Sequence, residues 1–185
     1  MRPIAGIFFL LAVSLAFGQQ TTEQGGMPQA PASGNEGTWT ALGSLVGTWS
    51  GEGTGDPGSG TGSFSFAWDL EHKILVRKNH ADYPATNERP AFSHQDLMIV
   101  YQEPDARLPR AVYFDNEGHT INYAVTVSQD AKSIVFLSEL APSRPRYRLT
   151  YLVTGKERVE MTFEIAPPDK PDSFRAYIQA GARRQ

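Results

Sequence analysis

The chain has 185 residues, 40% of them hydrophobic, and a net charge of −3, enough for one domain with its own core. It contains no cysteine, which excludes disulfides, thiol nucleophiles, thiolate metal sites and a lipid-modified cysteine. The mild acidic balance provides no general basic field of the kind nucleic-acid binding requires.

The N-terminus reads as a secretory signal peptide over residues 1–18. Arg2 precedes an apolar run from Ile4 to Phe17, and Ala16-Phe17-Gly18 offers small residues for cleavage. The run is shorter than the ~20 residues a membrane-spanning helix needs. A secreted or periplasmic location is therefore expected, with no stable membrane insertion after cleavage. Residues 19–37, rich in Gln, Gly, Pro, Ala and Thr, are expected to form a disordered leader. The domain proper is expected over 38–185.

Trp39, Leu42, Leu45 and Val46 recur at helical spacing and predict a short capping helix. Thr48 to Gly53 is the first strand. Ser63 to Leu70 alternates, with Phe64, Phe66, Trp68 and Leu70 on one face. Strands follow at Lys73 to Ala81, Asp96 to Tyr101, Arg110 to Phe114, His119 to Val127 and Ser133 to Glu139. The last three are Arg146 to Val153, Arg158 to Ile165 and Phe174 to about Arg183. Nearly all the connections are short, and no helical period lies between the strands. The fold class is therefore all-β: a closed antiparallel up-and-down barrel of about ten strands. A two-sheet sandwich is the alternative.

Gly47-Thr48-Trp49-Ser50-Gly51-Glu52-Gly53 places a tryptophan among glycines at the first strand. This G-x-W-x-G-x-G run resembles the first-strand motif of the nitrobindin-like branch of the calycin superfamily. Tyr113 to His119 and Phe163 to Pro168 resemble small bacterial lipocalin-like domains of unknown function. The resemblance spans roughly Trp39 to Arg184. It implies a structural set of Gly47 and Trp49 with Arg183 or Arg184, a terminal arginine covering the indole. It also implies haem held by a histidine from the C-terminal part of the barrel. No histidine follows His119 here, so the fold is carried over and the cofactor is not: no haem is expected.

Among chemistry-bearing residues, His80 and Asp82 supply only two of the three or four ligands a metal site needs, and read as exposed turn residues. Arg144, Arg146 and Arg148 read as an anion clamp or as an outer face opposed by Glu160 and Glu164. The motifs of phosphate loops, nucleophile elbows and zinc proteases are absent. No catalytic residue and no metal site are assigned.

The expected partner is a small hydrophobic or amphipathic molecule inside the barrel. Its lining is expected to be Trp68, Tyr113, Tyr123, Tyr151 and Phe163, with His119 as a polar handle at the mouth. Two alternatives stand beside it: an enzyme using a mouth His, Tyr or Arg, for which His119 would lie near Arg148, and an interaction module with a filled core.

Overall fold

The computed structural model describes residues 35–185; the signal-peptide expectation and the leader up to residue 34 lie outside the described residues. One helix, α1 (Asn35–Gly43), precedes ten strands. They are β1 (Gly47–Gly55), β2 (Gly60–Asp69), β3 (Ile74–Tyr83), β4 (Phe92–Tyr101) and β5 (Arg110–Asp115), followed by β6 (Thr120–Val127), β7 (Ser133–Ser138), β8 (Arg146–Gly155), β9 (Arg158–Ala166) and β10 (Arg175–Arg184). Each strand pairs antiparallel with its chain neighbours, and β1 pairs with β10. The sheet is thus a closed meander with no free edge, as the short connections predict.

Closure aligns the chain ends. Trp49 stands opposite Arg184 on one side and Phe64 on the other. The ladder shifts once in β10, between Ala176 and Ile178, and once in β8, between Val153 and Gly155. A ten-strand barrel is wider than side chains alone readily fill, so its core gathers at one end. There Trp49, Phe66, Leu75, Val100, Val125, Ile134, Phe136 and Tyr151 are buried together. Ala41 and Leu42 of α1, with Leu45 just beyond it, close that end.

The helix begins four residues before Trp39, so Asn35 to Gly37 belong to it and not to a leader. It stops at Gly43. Leu45 and Val46 fall in a turned linker, where Leu45 and Val46 donate their N–H groups to Leu42 and Gly43 carbonyls. The expected face of Phe64, Phe66, Trp68 and Leu70 also ends early. Leu70 is 64% exposed, in a turn where Leu70, Glu71 and His72 all take positive φ. Three left-handed residues in sequence carry the backbone out of the pleat, so Leu70 leaves its strand's inner face.

Among the described residues, no helix is long and apolar enough to cross a membrane.

A cavity with a charged, hydrogen-bonded floor

The end of the barrel opposite α1 is open. It leads to a cavity of about 350 Å³. One wall is made of residues with almost no side chain: Gly51 and Gly53 of β1, Gly60 and Gly62 of β2, and Ala180 and Ala182 of β10. The other walls carry Ile121, Tyr147, Leu149, Met161, Phe163 and Ile165. The glycine wall thus makes the room. At Gly60 a β-carbon would come within 2.7 Å of the Tyr83 ring, so even one methyl would press on the mouth.

Arg77 and Asp96 form the floor. Both side chains are buried, and the Arg77 guanidinium bonds Asp96 through Nη1. Arg77 Nε donates to the Tyr151 hydroxyl at 2.6 Å, and Asn79 Nδ2 donates to the second Asp96 oxygen at 2.9 Å. Burial opposes the charge on Arg77, but Asp96, Tyr151 and Tyr113 outweigh it and hold its pKa above the ordinary arginine value. Burial pushes the Tyr151 hydroxyl up to about 12, although Arg77 pulls the other way. Burial likewise raises Tyr113 and Tyr123. All three tyrosines therefore present neutral hydroxyls.

From this floor a chain of polar contacts climbs to the mouth. His94 Nε2 is 3.4 Å from Asp96 and 3.0 Å from the Tyr113 hydroxyl, while Nδ1 is 2.8 Å from Glu117. The hydrogen bond to Asp96, aided by Glu117, raises the His94 pKa against the effect of burial. Tyr113 in turn donates to Asp115 at 3.3 Å. Asp115 is a buried carboxylate at the start of the turn Asp115-Asn116-Glu117-Gly118-His119. It accepts the backbone N–H groups of Glu117 and His119 and the His119 ring at 2.9 Å. Burial pulls its pKa upward, and the His119 hydrogen bonds, backbone and side chain, turn the balance downward. Asn116 ties the turn to β4 by exchanging hydrogen bonds with Gln95 and Ser93.

Four of the expected lining residues, Tyr113, His119, Tyr123 and Phe163, do line the cavity. Tyr151 does not line the cavity; it is fully buried, and its hydroxyl accepts from Arg77 of the floor. Trp68 lies at the opposite end, against Trp39 and His72, each with ring centroids at 5.6 Å. Its inward parity was legible, but its height in the barrel was not, because β2 enters the barrel at the open end and Trp68 is near its far end. His119 is about half exposed at the rim.

The sequence reading missed Arg77, Asn79, His94 and Asp96, the groups of the floor and of the first step above it. Parity was the one signal that pointed inward, without showing their burial. Arg77 and Asn79 share the face of Leu75, and His94 and Asp96 share that of Met98 and Val100.

Other candidates resolve on the outer surface. His80 and Asp82 bond each other at 2.9 Å, both exposed, and Ser93 also donates to Asp82. Among the described residues no cluster of three ligand-type side chains suits a metal. Arg148 grips Glu164 through two hydrogen bonds of 2.5 and 2.7 Å, and Arg146 reaches Asp172. Arg148 is therefore an outer-face residue away from His119, and the expected His119–Arg148 pairing of an enzyme is not formed. Glu160 stands opposite Leu152, not an arginine.

Of the two terminal arginines, Arg184 covers Trp49, while Arg183 is exposed opposite Ser50. Gly47 has φ +131°, and a β-carbon there would come within 2.5 Å of the Arg184 guanidinium. Glycine thus supplies both the backbone angle and the clearance for the arginine.

The haem that the family resemblance implies does not fit these residues. β8, β9 and β10 carry no histidine. Both ring nitrogens of His94 are engaged by Glu117 and Tyr113, and the His119 ring is held at the rim by Asp115.

No protein-family model and no curated protein matches the chain. Solved structures of similar form include a de novo designed fluorescence-activating β-barrel, with 13% identity and TM-score 0.40 over 78% of this chain and 97% of that one. A redesigned β-barrel matches with 13% identity and TM-score 0.37 over 78% and 95% of the two chains. A DUF3598-family protein of unknown function from Nostoc punctiforme matches with 7% identity and TM-score 0.29 over 80% and 99%.

Proposed function

We propose that the protein is a calycin-type, lipocalin-like barrel, exported from the cytoplasm, that takes up one small apolar or amphipathic molecule through its open end. The observation that carries this reading is the cavity of about 350 Å³, with apolar walls and a bonded polar floor. Its size falls within the roughly 300–1,000 Å³ typical of small-molecule sites, and such sites combine apolar walls with a few placed polar groups.

Two features argue against a barrel built only to be filled. The glycine and alanine wall withholds bulk where side chains could have closed the interior. The buried Arg77–Asp96 pair occupies a place where apolar residues of similar volume are commonly as stable or more so. Both features are costs in a purely structural barrel, and both shape a site.

Native mass spectrometry of protein purified from its own host tests the proposal. The expected result is a non-covalent adduct at one equivalent that is absent from Ala180→Trp, a substitution that fills the glycine wall. A bare mass for both proteins contradicts it.

A further inference from the structure

We infer that the molecule bound in this cavity is uncharged and carries an oxygen head group, a ketone, ester carbonyl or hydroxyl, which seats against Tyr123 and Arg77 at the floor. The inference rests on the ligand-binding reading above and narrows it to a chemical class.

Tyr123 is the first observation. It is 1% exposed, lines the cavity, and its ring is held edge-on by Tyr113 and Phe136. Among the described residues its hydroxyl has no hydrogen-bond partner, unlike Tyr113 and Tyr151. A hydroxyl that lines the cavity without a protein partner is open to the cavity's contents. Arg77 is the second observation. It bonds Tyr151 through Nε and Asp96 through Nη1, while Nη2 has no partner among the described residues. The floor therefore offers an O–H and N–H donors. Asn79, whose amide nitrogen is committed to Asp96, adds a carbonyl acceptor.

The charge distribution then selects among heads. Three carboxylates line the cavity, Asp96, Asp115 and Glu117. Against them stand three cationic groups at most, Arg77, His94 and His119. The lining carries no net positive charge even with both histidines protonated and is net acidic with either neutral, so an anionic head meets no uncompensated cation. A cationic head meets the permanently charged Arg77 at the floor. An uncharged acceptor meets neither penalty and satisfies the open donors. Each cation here is also already bonded to a carboxylate, so a ligand carboxylate would have to compete with Asp96 for Arg77.

The test is displacement of the neutral fluorescent probe N-phenyl-1-naphthylamine from the mature protein at pH 7. The competitors share one chain length: 2-decanone, 1-decanol, decanoate and decyltrimethylammonium. The ketone or alcohol should displace the probe at concentrations at least about tenfold lower than either ion. Tyr123→Phe should weaken the ketone about tenfold once its displacement is corrected for the variant's own probe affinity, titrated directly. Decanoate or the ammonium ion displacing as well as the ketone overturns the inference, with or without the variant. So does a Tyr123→Phe protein that folds and binds the ketone unchanged. Failure of the probe itself to bind overturns the binding reading beneath it, which separates the two failures.

Discussion

Arg184 sits over the indole of Trp49, its guanidinium carbon 4.2 Å from the ring centroid. The contact joins the first strand to the last and so marks the seam where the barrel closes. The guanidinium also bonds the carbonyls of Ser44, Val46 and Lys156, and Trp49 donates its indole N–H to Leu45 at 2.8 Å. Helix linker, first strand, last strand and the β8–β9 turn meet at this pair.

Trp49→Ala is expected to cost about 3–5 kcal/mol, the usual range for removing a fully buried large aromatic. Arg184→Ala should cost less. The two should couple by about 0.5–2 kcal/mol, the range for an arginine over an aromatic face. Arg183→Ala, on the exposed side of the strand, should stay within about 0.5 kcal/mol. Chemical denaturation of the three single variants and the Trp49/Arg184 double variant checks this; additive losses would remove the contact from the account.

Removing one partner of the floor pair should be worse than removing both. Asp96→Leu alone strands the Arg77 charge and is expected to cost about 3–5 kcal/mol. The double variant Arg77→Met with Asp96→Leu should recover most of that, because two apolar residues of similar volume leave no buried charge. The double variant, which lacks the Arg77 donor, should lose binding of ketone- and alcohol-headed ligands. Urea midpoints compared across the single and double variants give the answer.

The His94 pKa is raised on folding, from a usual value near 6.5, chiefly by its contact with Asp96. The sign follows from linkage. A group whose folded pKa is raised contributes stability that is present in full below about 6.5 and lost as pH rises through the folded value. Stability should therefore fall between neutral and mildly alkaline pH, and His94→Gln should flatten that fall. Asp115, whose pKa is lowered, acts in the other direction and loses its contribution as pH falls through its folded value. Denaturation midpoints measured at several pH values from mildly acidic to mildly alkaline test both signs.

Much of the architecture could be read from the chain because turns and alternation carry it. The Gly-containing turns after Thr54, Asp115 and Thr154 and the aromatic alternation of Phe64, Phe66 and Trp68 each dictate a hairpin or a face. The seam tryptophan was legible for the same reason, set among glycines on the first strand. The floor was not. Arg77, Asn79 and Asp96 are polar at inward positions, which inverts the rule that places polar residues outside. Their burial depends on pairing across strands, Asn79 opposite Asp96 and Arg77 opposite Met98, and pairing is a property of the closed sheet. Trp68 shows the other gap. Period 2 assigns a face but not a level along the barrel, and level decides whether an aromatic lines a cavity or plugs an end.

The cavity itself is the central claim, and a fluorescence titration of N-phenyl-1-naphthylamine into the wild-type protein and Ala180→Trp tests it most directly. The account predicts saturable binding at one site in the wild type, and loss of at least tenfold in affinity in Ala180→Trp with the denaturation midpoint retained. Equal binding by the two proteins, or no saturable binding by the folded wild type, would contradict it.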